Sequence, residues 1–285
     1  MADETPIAVQ YSDRTSTAVR SVLVEIGQTL GSYRGKFVVI GGAVPWLLLE
    51  ESDMQHVGTS DVDLSLNAEA LAENDQYKGL VEALRDQGYE TREELRNFRM
   101  VRTIDPNDGG PPIDVVVDFL RPFDAVIEKN KPPITPDFAT QRAYGADLAT
   151  HFYKVVAIEG DMPRGGRNTV QIAVASIPAL LAMKGYAMDG RNKQKDAYDI
   201  YFSIRNFRDG VEALVDECRP LLEFKSGKEG FEFVASKFKE VDDFGPTCVR
   251  NFVADTDIAG DRSPDDWQQD AFGQVDAWAR ALGLR

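Results

Sequence analysis

FVVIGGAVPWLLLEESDMQHVGTSDVDLSL, residues 37–66, is the stretch on which the fold turns. Four consecutive apolar residues, Phe37 to Ile40, read as a short buried strand. Gly41-Gly42 breaks it, and Ala43 to Glu51 reads as a helix that tolerates Pro45 in its first turn. A polar loop with His56 and Gly58 follows, in which an exposed histidine is expected. Asp61 to Leu66 (DVDLSL) then alternates acidic or polar residues with apolar ones, the pattern of a strand with one polar and one buried face.

Working outward, Val19, Val22, Leu23, Ile26 and Leu30 keep helical spacing and predict a first helix over about 14–31. Downstream, Leu80, Val81 and Leu84 mark a helix over about 75–87 that ends at Gly88. A strand is expected at about 97–104. The turn-rich DPNDGGPP then delivers the chain into IDVVVDFL, residues 113–120, a strand with Asp114, Val116 and Asp118 on one face. Two further strands, at about 151–158 and 169–174, flank Pro163-Arg164-Gly165-Gly166-Arg167, whose first reading is a hairpin turn rather than a phosphate grip. From Ser176 the pattern is helical, at about 176–189, 194–205, 209–218, 228–240 and 265–282, the last with Trp267, Val275, Trp278 and Leu282 on core spacings. Tyr198, Tyr201 and Phe202 are expected in the core. The class is α+β: a mixed α/β domain over residues 1–175 followed by a helical domain over 176–285.

Composition bounds the function. The 285 residues carry 32 Lys+Arg against 47 Asp+Glu, a formal charge of −15, with 43% hydrophobic residues, enough for a sizeable core. The run of apolar residues needed for a membrane span and the apolar h-region of a signal peptide are both missing, so a cytoplasmic protein without a membrane partner is expected. Two cysteines, Cys218 and Cys248, and two histidines, His56 and His151, lack zinc-site spacing. The acidity speaks against a DNA-coating role, since phosphate binding needs clustered Lys and Arg. RNA binding would rest on local clusters, such as Arg85 to Arg102 or Arg164 to Lys195.

The chemistry lies in the carboxylates. In a strand, residues i and i+2 share a face about 7 Å apart, so Asp61 and Asp63 stand side by side and repel without a counter-ion. Mg²⁺ or Mn²⁺ relieves that repulsion, because hard divalent cations take oxygen ligands and leave positions open for substrate phosphates. A solvated edge strand is the bland reading of Asp-x-Asp alone. Three features favour the metal. Gly41-Gly42, ending 19 residues before Asp61, lets backbone N–H groups approach a triphosphate. Thr59 and Ser60 offer two hydroxyl donors to phosphate. The later acidic strand supplies a third carboxylate as metal ligand or proton acceptor, Asp114, with Asp118 on the same face as its rival. Neither a P-loop nor a GxGxxG motif is present.

The order Gly-Gly turn, helix, Asp-x-Asp strand resembles the signature of the DNA polymerase β-type nucleotidyltransferase superfamily. SIPALLAMKGYAMDGRNKQKDAYDIYFSI, residues 176–204, is similar to the AbiEii-type toxins of type IV toxin–antitoxin and abortive-infection systems, with a helical lysine before a Lys/Arg-Asp-x-x-Asp segment. Together the matches span residues 36–205. The resemblance implies a nucleotidyltransferase fold with two Mg²⁺ ions on Asp61, Asp63 and a third acid, Asp114. It makes Gly41 and Gly42 the nucleotide-binding turn, Lys184 a phosphate contact, and Asp196 a catalytic residue with Lys195 and Asp199 beside it. Read without the resemblance, Lys184 snorkels from an amphipathic helix, and Asp196 and Asp199 form surface ion pairs. Gly42 departs from the Gly-Ser form and removes one hydroxyl, for which Thr59 or Ser60 compensates.

The implied activity is transfer of NMP from an NTP to an acceptor hydroxyl with release of pyrophosphate. For a toxin of this type the acceptor is the 3′ end of tRNA, and a cognate antitoxin is encoded nearby. A small-molecule or protein acceptor, and a non-catalytic nucleotide-binding module of the same fold, are the other readings. The base of the NTP, the oligomeric state and the role of residues 206–285 are not encoded in any motif here.

Overall fold

The structure, a computed structural model, describes residues 11–33, 35–52, 54–67, 76–106, 108–124, 138–256 and 258–285. The expected α+β class is observed, a mixed sheet followed by a helical C-terminal region. Two compact units emerge. One comprises Ser12–Ala43 and Gly58–Ala175; the other comprises Val44–Val57 and Ser176–Arg285, together with Tyr11. The segment 44–57, read from sequence as part of the α/β domain, thus groups with the helices.

In the sheet unit, β1 is Phe37–Ile40, β2 Asp61–Leu66, β3 Arg99–Ile104, β4 Ile113–Pro122, β5 Gln141–Ala143, β6 Tyr153–Asp161 and β7 Arg167–Ala175. Their order is β3-β4-β2-β1-β7-β6, with β5 on β4. The pairs β2/β4, β1/β7 and β4/β5 are parallel, and β1/β2, β3/β4 and β6/β7 antiparallel. Strand alternation sorts the faces. Val62, Leu64 and Leu66 of β2 and Val115, Val117 and Phe119 of β4 are fully buried, while the alternate positions carry the acids. Helix α1, Asp13–Thr29, is capped by Ser12, whose hydroxyl accepts from Thr15 N, and buries Val19, Val22, Leu23 and Ile26. Gly27 lets it approach the sheet, since a Cβ there would lie 2.6 Å from Val170 Cγ2. Helix α3 runs Gln76–Asp86, so residue 75 of the expected helix lies outside the described residues. A short helix, α4, Ala146–His151, and the three-residue β5 carry too little periodicity to be read from sequence. Strand β6 starts and ends later than expected, β7 outruns its expected span at both ends, and the two close on the predicted hairpin turn, with Gly165 and Gly166 both at positive φ.

Helix α2, Ala43–Leu48, which belongs to the helical unit from Val44 onward, stops three residues short of Glu51. The helical unit continues with α5 Ile177–Gly190, α6 Gln194–Arg205, α7 Gly210–Cys218, α8 Lys225–Lys237, α9 Phe244–Thr256 and α10 Pro264–Ala281. Helix α5 is apolar around most of its circumference and is correspondingly buried. It crosses α8 at near backbone contact: a Cβ on Gly185 would stand 1.9 Å from the Gly230 carbonyl oxygen. Tyr198, Tyr201, Phe202, Trp267, Val275 and Trp278 are core residues, as expected. Helix α9 went unread because Gly245-Pro246 stands at its start; proline is tolerated there because first-turn N–H groups have no helical partner. Among the described residues, no helix is long and apolar enough to cross a membrane.

Candidate functional site

The sheet unit gathers the Gly-Gly turn and the acids along one row. Asp63 of β2 lies opposite Ile40 of β1 on one side and Asp118 of β4 on the other, and Asp118 lies opposite Arg99 of β3. Gly41 follows Ile40 directly, with φ 72°, and its missing side chain is the space that the Asp63 carboxylate fills: a Cβ there would stand 1.9 Å from Asp63 Oδ2. Both the left-handed backbone and the contact demand glycine at this position. Asp61, two residues before Asp63 on the same face, accepts a 2.7 Å hydrogen bond from Thr59 Oγ1. Thr59 is buried, and its hydroxyl proton is directed to Asp61. Ser60 is half-buried beside it.

Of the two rival acids, the register sets Asp118 rather than Asp114 directly opposite Asp63. Both lie on the predicted face, but four residues of strand separate them by about 13 Å. Asp114 is exposed and pairs with Thr103 in the ladder; it accepts from Arg92 Nη1 at 2.5 Å, Arg92 Nη2 at 3.2 Å and Thr103 Oγ1 at 2.6 Å. That arginine holds its carboxyl below the usual range. Asp118 is 7% exposed and receives both arms of Arg99, Nε at 2.9 Å and Nη2 at 3.0 Å. The sequence contained Arg99, but its pairing depends on β3/β4 register, which no local pattern reveals.

The donor set of Asp61, Asp63 and Asp118 is all oxygen, the chemistry a hard divalent cation takes. Asp61 and Asp63 fit such an ion completed by substrate oxygens, and Asp118 has the right register for a third ligand. With Asp118 turned onto Arg99, the side chains do not converge: among the described residues, no group of three His, Cys, Asp or Glu is placed to hold a metal.

Lys184 and Asp196 belong to the helical unit, in a buried ionic network. Lys184 Nζ lies 2.6 Å from Asp196 Oδ1 and 2.7 Å from Asp199 Oδ2. Arg191 adds Nε and Nη2 to Asp196 at 2.8 and 3.0 Å, and Lys195 Nζ reaches Asp199 Oδ1 at 2.8 Å. The ammonium of Lys184 is therefore engaged by two carboxylates, and neither aspartate is on the surface. Burial opposes ionisation of Asp199, but Lys184 and Lys195 beside it hold its pKa well below the ordinary value. Burial lowers the Lys195 pKa; that of Lys184 is raised because its two aspartates outweigh burial.

His56 completes this network and corrects the expectation of an exposed loop histidine. Its side chain is 2% exposed, and its ring meets Phe202 edge-on at 4.7 Å. Burial lowers its pKa to about 4, so the ring is neutral at pH 7 and Nε2–H donates to Asp199 Oδ1 at 2.9 Å. Only Met54 and Val57 as apolar near neighbours in sequence could have hinted at this. Cys218 and Cys248 are free and buried, and burial pushes the Cys218 thiol up to about 12. Arg167 donates to Glu159 across the hairpin, and Arg164 ties the turn to the end of α3 by donating to the Asp86 carbonyl.

No family model matches the chain, and no curated protein matches it. Among solved structures it is similar to an antigenic nucleotidyltransferase-like protein from Paracoccidioides brasiliensis, with 19% identity, 76% of this chain and 94% of that chain covered, and a TM-score of 0.42.

Proposed function

We propose that this chain is a divalent-metal-dependent nucleotidyltransferase, with the site in its sheet unit. The observation that carries the reading is the row Gly41–Asp63–Asp118: a glycine turn shaped around one carboxylate, with a second in register beside it and Asp61 on the same face. Like charges on adjacent strands repel; Arg99 offsets Asp118, and a divalent ion on Asp61 and Asp63 would add to that relief. Mg²⁺ would be held by Asp61 and Asp63, with Asp118 as third ligand by register, and when bound it would polarise the α-phosphate and stabilise departing pyrophosphate. Thr59 fixes the Asp61 rotamer by its hydrogen bond. In the reaction the acceptor oxygen bonds to the α-phosphorus, the bond to the β-phosphate oxygen breaks, and the acceptor proton passes to a carboxylate of the row.

The similarity of residues 176–204 to AbiEii-type toxins supports a finer reading: NMP transfer to the 3′ end of tRNA, which halts growth until an antitoxin encoded nearby opposes it. The test is to incubate the protein with Mg²⁺, each labelled NTP in turn and total tRNA. Label on tRNA that vanishes with EDTA and in Asp61→Ala/Asp63→Ala is the expected result. Label on a protein or small molecule instead would discard the tRNA acceptor, and no transfer to anything would discard the activity.

A further inference from the structure

At the far end of β4 the chain builds a second feature of the sheet unit that the carboxylate row does not use. Strand β5 runs beside β4 with Arg142 opposite Arg121, and Phe123 N extends the ladder by donating to the Ala143 carbonyl at 3.1 Å. The ring of Phe123 stacks on that of Tyr144, centroids 3.9 Å apart and planes 14° apart. The Arg142 guanidinium lies 5.5 Å from the Phe123 centroid. Tyr144 is 52% exposed, among the few large apolar side chains the fold leaves open.

Two things here suit one ligand. The β4/β5 register sets Arg121 and Arg142 side by side on adjacent strands, two positive charges at one place on the surface. An aromatic face left half in water beside them is a surface that excludes little solvent in the free protein. One ligand chemistry answers both: a base stacks on an aromatic ring, and its backbone phosphate neutralises adjacent arginines.

We infer that Arg121, Phe123, Arg142 and Tyr144 form an anchor for single-stranded RNA, a base continuing the Phe123–Tyr144 stack and a phosphate bridging the two guanidiniums. The choice of RNA rests on the proposed acceptor. Strand alternation puts Arg121 on the face opposite Asp118, and Phe123 is five residues, about 16 Å, along the strand. The anchor therefore grips nucleotides remote from the reacting end and gives affinity, not chemistry. A chain of net charge −15 needs such a local cationic and aromatic patch to bind RNA at all.

The test is fluorescence anisotropy of a labelled single-stranded RNA oligonucleotide with the full chain, comparing wild type, Tyr144→Phe, Tyr144→Ala and Arg142→Ala. Phe keeps the stack and is expected to bind as wild type. Ala at 144 should weaken binding about 5- to 150-fold, the range of one lost base–aromatic stack. Arg142→Ala should flatten the salt dependence by about 0.7 in log–log slope. Thermal melts of each variant verify folding. Wild-type affinity in both alanine variants, or no RNA binding by the wild type, overturns the anchor. So does an equal loss of free NTP binding in Tyr144→Ala, which would make the patch a mononucleotide site. Because anisotropy needs no turnover, Tyr144-dependent RNA binding without nucleotide transfer would sink the proposed function alone. Transfer with undiminished RNA affinity in Tyr144→Ala would sink the anchor alone.

Discussion

Arg99 grips Asp118 with both arms of its guanidinium, at 2.9 and 3.0 Å, one strand away from the carboxylate of Asp63. A cation is thus already placed at the acidic row, supplied by the neighbouring strand. Replacing Arg99 with Ala removes the bidentate partner of Asp118, and a largely buried carboxylate that loses an ion-pair partner destabilises the fold. The expected outcome is a lower melting temperature for Arg99→Ala in EDTA, and a larger rise on adding Mg²⁺ than wild type shows, by binding linkage. Differential scanning fluorimetry with and without Mg²⁺ reads it; an equal Mg²⁺ response in both proteins would count against the row as a cation site.

Gly41 is expected to be intolerant of any side chain. Gly41→Ala combines a left-handed backbone with a Cβ 1.9 Å from Asp63 Oδ2, whereas Gly35, also at positive φ, has open space around it. Gly35→Ala should cost about 1–2 kcal/mol from backbone strain alone, and Gly41→Ala measurably more. Urea unfolding of the two variants decides this, and equal losses would mean that the Asp63 contact is not tight.

Lys184→Ala should behave as a folding mutation. Two buried aspartates lose a shared counter-ion, which by analogy with broken buried pairs costs about 3–5 kcal/mol. Were Lys184 chiefly a phosphate contact, chemical denaturation would hardly shift while NTP affinity fell.

His56 gives the protein an acid-sensitive limb. Its pKa is about 4 folded against an ordinary 6.5, so below pH 6.5 the unfolded chain takes up a proton that the folded one refuses. Its contribution is complete above pH 6.5 and is lost as pH falls to about 4, on the order of 3 kcal/mol in all. Loss from Asp199, whose folded pKa is depressed, begins only lower, as pH falls below the ordinary aspartate value. His56→Gln keeps a donor for Asp199 without a titrating ring, and its stability should be nearly flat between pH 6.5 and 5. A slope equal to the wild type's would assign that limb to other groups.

The contrast between these two clusters explains what could be read from the chain. Asp61, Asp63 and Gly41 were legible because their relation is local: period-two alternation puts two acids on one face, and a double glycine ends a four-residue apolar strand. Asp118 was not separable from Asp114, because both obey the same alternation and only the β2/β4 register, a pairing of residues 55 apart in sequence, distinguishes them. Lys184, Asp196 and Asp199 read as an amphipathic surface because helical spacing shows which residues share a face but not what packs over it. His56, 143 residues from its partner Asp199, carried no local signal of burial.

Asp118→Asn and Asp114→Asn, compared in Mg²⁺-dependent transfer of labelled nucleotide, decide which acid completes the row. The register predicts that Asp118→Asn loses about 10²-fold or more, the scale of removing a group that acts on developing charge, while Asp114→Asn stays within a few-fold of wild type. The reverse order, with Asp114 essential and Asp118 dispensable, would contradict the site described here.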